Sequence, residues 1–105
     1  LSLSEKLPIQ VAQSAADQIV AASAWWQANR PKAPGALREE IERALELLSA
    51  QPQIGVTAAN VKLAGVRRIH LSRVHYHLYY RVRESPAVVE IPALWHTSRG
   101  SGPER

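Results

Sequence analysis

The sequence contains no cysteine, no methionine and no phenylalanine. Without cysteine, neither a disulfide framework nor a thiolate-based zinc site can form. No apolar run approaches the ~20 residues of a membrane span. No basic, apolar and small-residue leader opens the chain. With the lack of disulfides, these absences set the expectation of a cytoplasmic protein that meets no membrane. Glycine is scarce too, and Gly55 and Gly65 do not make a phosphate-cradling loop. Ser72, Ser98 and Ser101 lack the Gly-x-Ser-x-Gly turn of hydrolase nucleophiles, which argues against acyl chemistry.

The 105 residues suit one domain over 1–105, with flexible ends at about 1–6 and 100–105. At 46% apolar and 21% charged residues, the composition is that of a folded chain, neither disordered nor low-complexity. The net charge of +4 is unevenly spread. Residues 1–52 carry five bases and six acids, whereas 53–105 carry eight bases and three acids, together with all four histidines. A positive C-terminal half suggests an anionic partner, either nucleic acid or an acidic protein surface, or else an ordinary basic surface.

Leu7, Ile9 and Val11 alternate with Pro8 and Gln10, which predicts a short strand, at an edge or starting on Pro8. Ser14 and Asp17 resemble a capping box opening a helix over about 15–29, stopped by Arg30-Pro31. That helix is bare of charge from Gln18 to Asn29 and carries adjacent tryptophans, Trp25 and Trp26. Neighbours on a helix point about 100° apart, so one stripe cannot hide both. Either two sides are covered within the domain, or one side docks onto another chain; the second reading is preferred for so small a domain. A second helix over about 35–50 shows a plain apolar stripe: Leu37, Ile41, Ala44, Leu45 and Leu48. The two make an αα-hairpin.

A loop over 53–65 follows. The period then changes to two over 66–73, 76–84 and 87–95, with tight joints at Val74-His75 and Ser85-Pro86. Joints this short predict antiparallel hairpins, and Pro92 predicts a bulge or an edge. The fold class is therefore α+β: an N-terminal strand, an αα-hairpin, then a three-stranded antiparallel meander packed on the helices. Alternation assigns Ile69, Leu71, Leu78, Tyr80, Val82, Val89, Ile91 and Ala93 to the core face, with Trp95 on the same side. Arg68, His70, His77, Tyr79, Arg81, Glu90 and His96 then share the opposite face.

An outer face of imidazole, guanidinium and phenol suits a phosphodiester. Arginines hold phosphate oxygens, a histidine titrating near neutrality moves the proton of an attacking hydroxyl, and Tyr79 stacks on a base or donates a hydrogen bond. A metal at His70, His75 and His77 is disfavoured by the surrounding arginines and the shortage of carboxylates. No cofactor is implied. Arg67 and Arg73 point toward the helices and can pair with Glu42 or Glu46, and His96 and Arg99 can equally cap the last strand.

This order of elements resembles the RelE/ParE superfamily of type II toxins. Gly65-Val66-Arg67-Arg68-Ile69 is similar to that family's lead-in to its second strand, and Tyr76-His77-Leu78-Tyr79-Tyr80-Arg81-Val82 to its third-strand segment. Val89-Glu90-Ile91, followed by Leu94-Trp95-His96-Thr97-Ser98-Arg99, resembles the ParE-like ending. The resemblance spans about Leu7 to Arg99. It implies a cognate antitoxin that wraps and neutralises the toxin, with Trp25 and Trp26 as its contacts and higher-order toxin–antitoxin assembly open. It also implies one of two targets. A ParE-like toxin blocks DNA gyrase without catalysis, through Arg67, Arg68, Tyr79, Arg81, His96 and Arg99. A RelE-like toxin is an mRNA interferase on the ribosome; here His77 and His96 would be its catalytic groups and Arg68 and Arg81 would hold the phosphate. The His-x-x-Arg ending favours ParE, a branch that includes plasmid-stabilisation toxins. A chain with no toxic activity is the third expectation.

Overall fold

The computed structural model describes residues 6–58 and 65–97. Strand β1 (Ile9–Val11) leads into helix α1 (Gln13–Asn29) and, after a turn, helix α2 (Ala36–Ala50). Four strands follow: β2 (Val56–Thr57), β3 (Arg67–Leu71), β4 (Tyr76–Arg83) and β5 (Val88–His96). They form one five-stranded sheet in the order β1-β5-β4-β3-β2. The expected meander is β3-β4-β5, antiparallel throughout. The N-terminal strand pairs with β5 in parallel, Ile9 beside Val89 and Val11 beside Ile91, so it is an edge strand and tolerates Pro8 just before it. Part of the segment expected to be a loop is the second edge, β2, with Val56 opposite Arg68 and Thr57 opposite Arg67.

The core lies between the helices and one face of the sheet. Ala15, Ala22 and Trp26 from α1 and Leu37, Ile41, Ala44 and Leu48 from α2 close on Leu71, Leu78, Tyr80, Val89, Ile91 and Leu94. Both helices thus bury a stripe of period near 3.6, although α1 leaves much apolar surface outside it. The tryptophans divide as their 100° separation requires. Trp26 is buried and its indole Nε1 donates to the Ala33 carbonyl (2.9 Å), fastening the turn between the helices, whereas Trp25 stays 48% exposed. Leu7 is tied twice to the end of α2: its amide donates to the Ser49 carbonyl (3.0 Å), and the Ser49 hydroxyl donates to its carbonyl (2.6 Å).

The start of α1 differs from the capping box. Ala12 is the N-cap and supplies no side-chain bond, and Asp17 accepts from Gln13 Nε2 (2.9 Å) within the first turn. Ser14 instead donates to the Pro92 carbonyl (3.3 Å), and Gln18 Oε1 accepts the Leu94 amide (2.8 Å). Past Val11, where β1 has ended, α1 side chains thus continue to satisfy the edge of β5, since exposed ladder groups in a half-buried strand are costly.

Pro92 marks both a bulge and a local edge, because β1 pairs with β5 only as far as Ile91 and leaves that side of Pro92 without a strand. From the Arg81–Glu90 pair to the Tyr79–Ala93 pair, β4 advances two residues and β5 three. One extra residue reverses the alternation of everything after it. Ala93 and Trp95 therefore stand on the outer face beside Tyr79 and His77, while Leu94 and His96 turn toward the helices beside Leu78 and Tyr76. The expectation of Ala93 and Trp95 on the core side and His96 on the outer side is corrected by this one insertion. The expected flexible ends lie outside the described residues except for Lys6, as does Arg99.

Candidate functional site: the outer face of the sheet

The outer face has two zones. One is dry: Tyr79, Ala93, Ala58 and Val66 are buried together, with Trp95 packed against them. Tyr79, expected to stack on a base, is only 2% exposed, so it supports the face from beneath instead of presenting its ring. The signal for this second core was Trp95, two residues from Ala93 on a strand whose parity the bulge had changed.

The other zone is polar. Arg68 and His70 project from β3, and His77 lies opposite His70 on β4. The His70 and His77 rings sit 5.0 Å apart at 33°, and the His77 ring stacks at 6.3 Å on Tyr79. The His77 Nδ1 atom is enclosed and meets no hydrogen-bond partner among the described residues. Burial, then the charge of Arg68, then His70 push its pKa below the ordinary 6.5, so the neutral imidazole is favoured. Ile54, Gly55 and Val56 close one side of this group, forming a cleft of about 310 Å³ with Arg68, Ile69, His70 and His77. Ile54 and Val56 are exposed apolar residues in the segment read as a loop; their place beside Gly55 was the only sequence sign of this wall.

The remaining basic candidates are engaged elsewhere. Arg81 Nε donates to Glu90 Oε1 (2.7 Å) in a half-buried cross-strand pair, and Arg83 approaches the other oxygen of the same carboxylate (3.5 Å). Arg67 points to the helix side and donates to the Gly55 carbonyl (2.7 Å), while the Gly55 amide donates to the buried Tyr80 hydroxyl (2.7 Å). Burial raises the Tyr80 pKa, opposed by the Gly55 bond and by Arg67. Arg73 pairs with Glu39 (3.3 Å) and Glu40 (3.2 Å), not with Glu42 or Glu46, and those hydrogen bonds raise its pKa. His75 sits in the turn before β4 with a left-handed φ of 65°, away from the His70–His77 pair. Among the described residues no three His, Asp or Glu side chains gather to hold a metal ion.

His96 belongs to a different surface. Its ring meets Tyr76 edge-on at 4.9 Å, and the two line a cavity of about 450 Å³ with Gln18, Ala21, Ala22, Trp25 and Leu94. Trp25 carries the Arg30 guanidinium over its ring at 5.2 Å. His77 and His96 are thus separated by the thickness of the sheet. No single phosphodiester can lie between them.

The family described as ParE toxin of type II toxin-antitoxin system, parDE, matches residues 9–100. The chain belongs to the ParE toxin family. The fold agrees with that membership. It is similar to a structure of the chromosomal ParDE TA system from P. aeruginosa, at 19% identity over 89% of this chain and 98% of that one, with a TM-score of 0.68. It is also similar to a YoeB/ParE toxin from Agrobacterium tumefaciens, at 16% identity over 86% of this chain and 98% of that one, with a TM-score of 0.60. At such identities the likeness is one of fold. No curated protein matches the sequence. As in the expectation for a ParE toxin, a strand, a helical hairpin and a meander are present. Separately, no described helix is long and apolar enough to cross a membrane.

Proposed function

We propose that this ParE-family toxin arrests growth by binding DNA gyrase, without catalysis, and that a cognate antitoxin neutralises it. Family membership supports a toxin with an antitoxin partner. The observation that carries the choice of target is the separation of His77 from His96 by the sheet, with Arg81 already neutralised by Glu90. A nuclease needs a base and an acid on either side of one scissile bond and a cation on its phosphate. The proposed catalytic set is therefore dispersed, whereas protein contact needs no such convergence. Arg68 on the outer face and His96, with the segment that follows β5, are the proposed gyrase contacts. Arg67, Tyr79 and Arg81 act by holding the sheet in shape.

The antitoxin is proposed to cover the outer side of α1. Val20 is 69% exposed, Trp25 nearly half, and a groove of about 700 Å³ runs between α1 and α2 past Ile19, Ala24, Leu37, Ile41 and Leu45. Trp26 contributes from beneath, through the core. Apolar surface of this extent on a small chain marks a protein partner.

The deciding assay is gyrase supercoiling and DNA cleavage with purified toxin, with and without antitoxin. Inhibited supercoiling, restored by antitoxin, is expected; induced cells should form filaments and keep their mRNA whole. Unaffected gyrase with codon-phased mRNA cuts would replace this reading with the ribosomal one. Untouched growth would remove both.

A further inference from the structure

We infer that the cleft of Arg68, His70 and His77 binds the phosphodiester backbone of a single nucleic-acid strand and does not cut it. Charge compensation around the sheet singles the cleft out. Of the described arginines on β3, β4 and their turns, Arg67 is spent on a backbone carbonyl, Arg73 on Glu39 and Glu40, and Arg81 and Arg83 on Glu90. Arg68 has no ion-pair or hydrogen-bond partner among the described residues. Unpaired guanidinium in a half-buried setting is costly unless an anion completes it, and its forked donors match phosphate oxygens.

The surroundings favour a nucleic-acid strand over an acidic peptide. The His70 and His77 rings lie in line with Tyr79 beside the guanidinium, and exposed Ile54 and Val56 form an apolar wall at the same cleft. A phosphate held by Arg68 leaves its base over imidazole and aliphatic surface, the usual pairing of charge and stacking for single strands. A carboxylate side chain would use the charge and leave the wall unused.

The same geometry explains why binding stops short of cleavage. In-line displacement places base and acid on opposite sides of phosphorus. At 5.0 Å between centroids and 33° between planes, the His70 and His77 rings rest against each other and leave no room for a phosphorus between them. They act as one patch, not as a flanking pair, and His96 is behind the sheet.

The proposal shares Arg68 with the gyrase reading but is tested apart from it, because the assay contains no gyrase. Fluorescence anisotropy is measured with a short labelled single-stranded DNA, the same sequence as RNA, and polyglutamate as competitor, over a salt series. Both strands should bind, since the contacts are to phosphate and base faces. Arg68→Ala should weaken binding about tenfold and lower the salt slope by about one, the loss of one phosphate contact. Arg73→Ala removes equal charge from a residue tied to two glutamates and should stay within about twofold. Arg68→Lys keeps the charge without the fork and should fall between the two, which guards against a folding defect in the alanine variant. Equal losses for Arg68→Ala and Arg73→Ala would overturn the site, as would displacement of the strand by polyglutamate at matched charge. Shortened strands on a gel would overturn binding without cleavage.

Discussion

The two faces of the sheet use the same strands for opposite ends. Toward the helices, Leu78, Tyr80, Val89 and Ile91 are wholly enclosed, and their neighbours come from distant parts of the chain. On the outer face a small dry cluster around Tyr79 and Ala93 abuts Arg68, His70 and His77, where the His77 Nδ1 atom meets no hydrogen-bond partner among the described residues. One side is closed by its own packing; the other is proposed to be completed from outside. Substitutions on the first should therefore register as stability, and on the second as binding.

The largest test of that contrast is Leu78→Ala. The side chain is fully buried between sheet and helices, so its loss should cost ~2–5 kcal/mol through lost burial and the cavity left behind. Its sequence neighbour His77 faces outward, and His77→Ala should cost ~1 kcal/mol or less. Urea unfolding of the two variants gives the comparison directly. Equal losses would mean that the outer face is as much a core as the inner one.

Gly55 lies where the faces meet, and Gly55→Ala should come next. A Cβ there would stand 2.6 Å from the Arg68 carbonyl and 2.6 Å from the Tyr80 hydroxyl. Neither can easily yield: one is sheet backbone, the other a buried ring held by the Gly55 amide. A cost of ~1–3 kcal/mol is expected. Tyr80→Phe strands the Gly55 amide without introducing a clash, so it should cost less, ~1 kcal/mol. If Gly55→Ala melts like the parent, β2 does not pack against Tyr80 as described.

Much of this contrast could be read from the residues, and the place where reading failed is informative. Alternation in β3 and β4 correctly divided Ile69, Leu71, Leu78 and Tyr80 from Arg68, His70 and His77, because neither strand is interrupted on the way. In β5 the division held to Ile91 and inverted afterward, since the count of residues through Pro92 does not reveal that one of them is extra. A bulge was expected there, but its effect on parity depends on where the partner strand resumes pairing, which is a property of β4. His96 was consequently grouped with His77, and Trp95 with the core. The engagement of Arg81 by Glu90 rests on the same register and was equally hidden. The adjacent tryptophans were more legible: their angular separation alone required that one be exposed.

Those tryptophans give an intermediate prediction that sharpens the contrast on the helical side. Trp26→Phe keeps most of the buried ring and loses the bond to the Ala33 carbonyl, so it should cost ~0.5–1.5 kcal/mol. Trp25→Ala should cost little stability but weaken antitoxin binding by at least ~2 kcal/mol, the behaviour of an exposed aromatic anchor. Calorimetric titration of antitoxin into each variant, beside their melting curves, separates the two roles. Undiminished binding by Trp25→Ala would move the antitoxin surface away from the outer side of α1.

The smallest expected effect is on the pH dependence of stability, and it isolates one outer-face residue. His77 has a folded pKa held below its unfolded value of 6.5, chiefly by burial and then by Arg68 and His70. As pH falls through the unfolded value, the unfolded chain takes up a proton that the folded chain still refuses. The contribution is therefore intact above about pH 6.5, shrinks as the solution is acidified, and levels off once the folded imidazole also protonates. His77→Gln removes the titration while keeping a polar side chain, so its stability should decline less steeply between about pH 7.5 and about pH 5. His75, His96 and the carboxylates are common to both proteins and cancel in the difference; His70, against the His77 ring, is the one group whose surroundings also change. Parallel curves for parent and variant without ligand would show that His77 is as solvated as any surface histidine, and the enclosed floor assigned to the cleft would then be wrong.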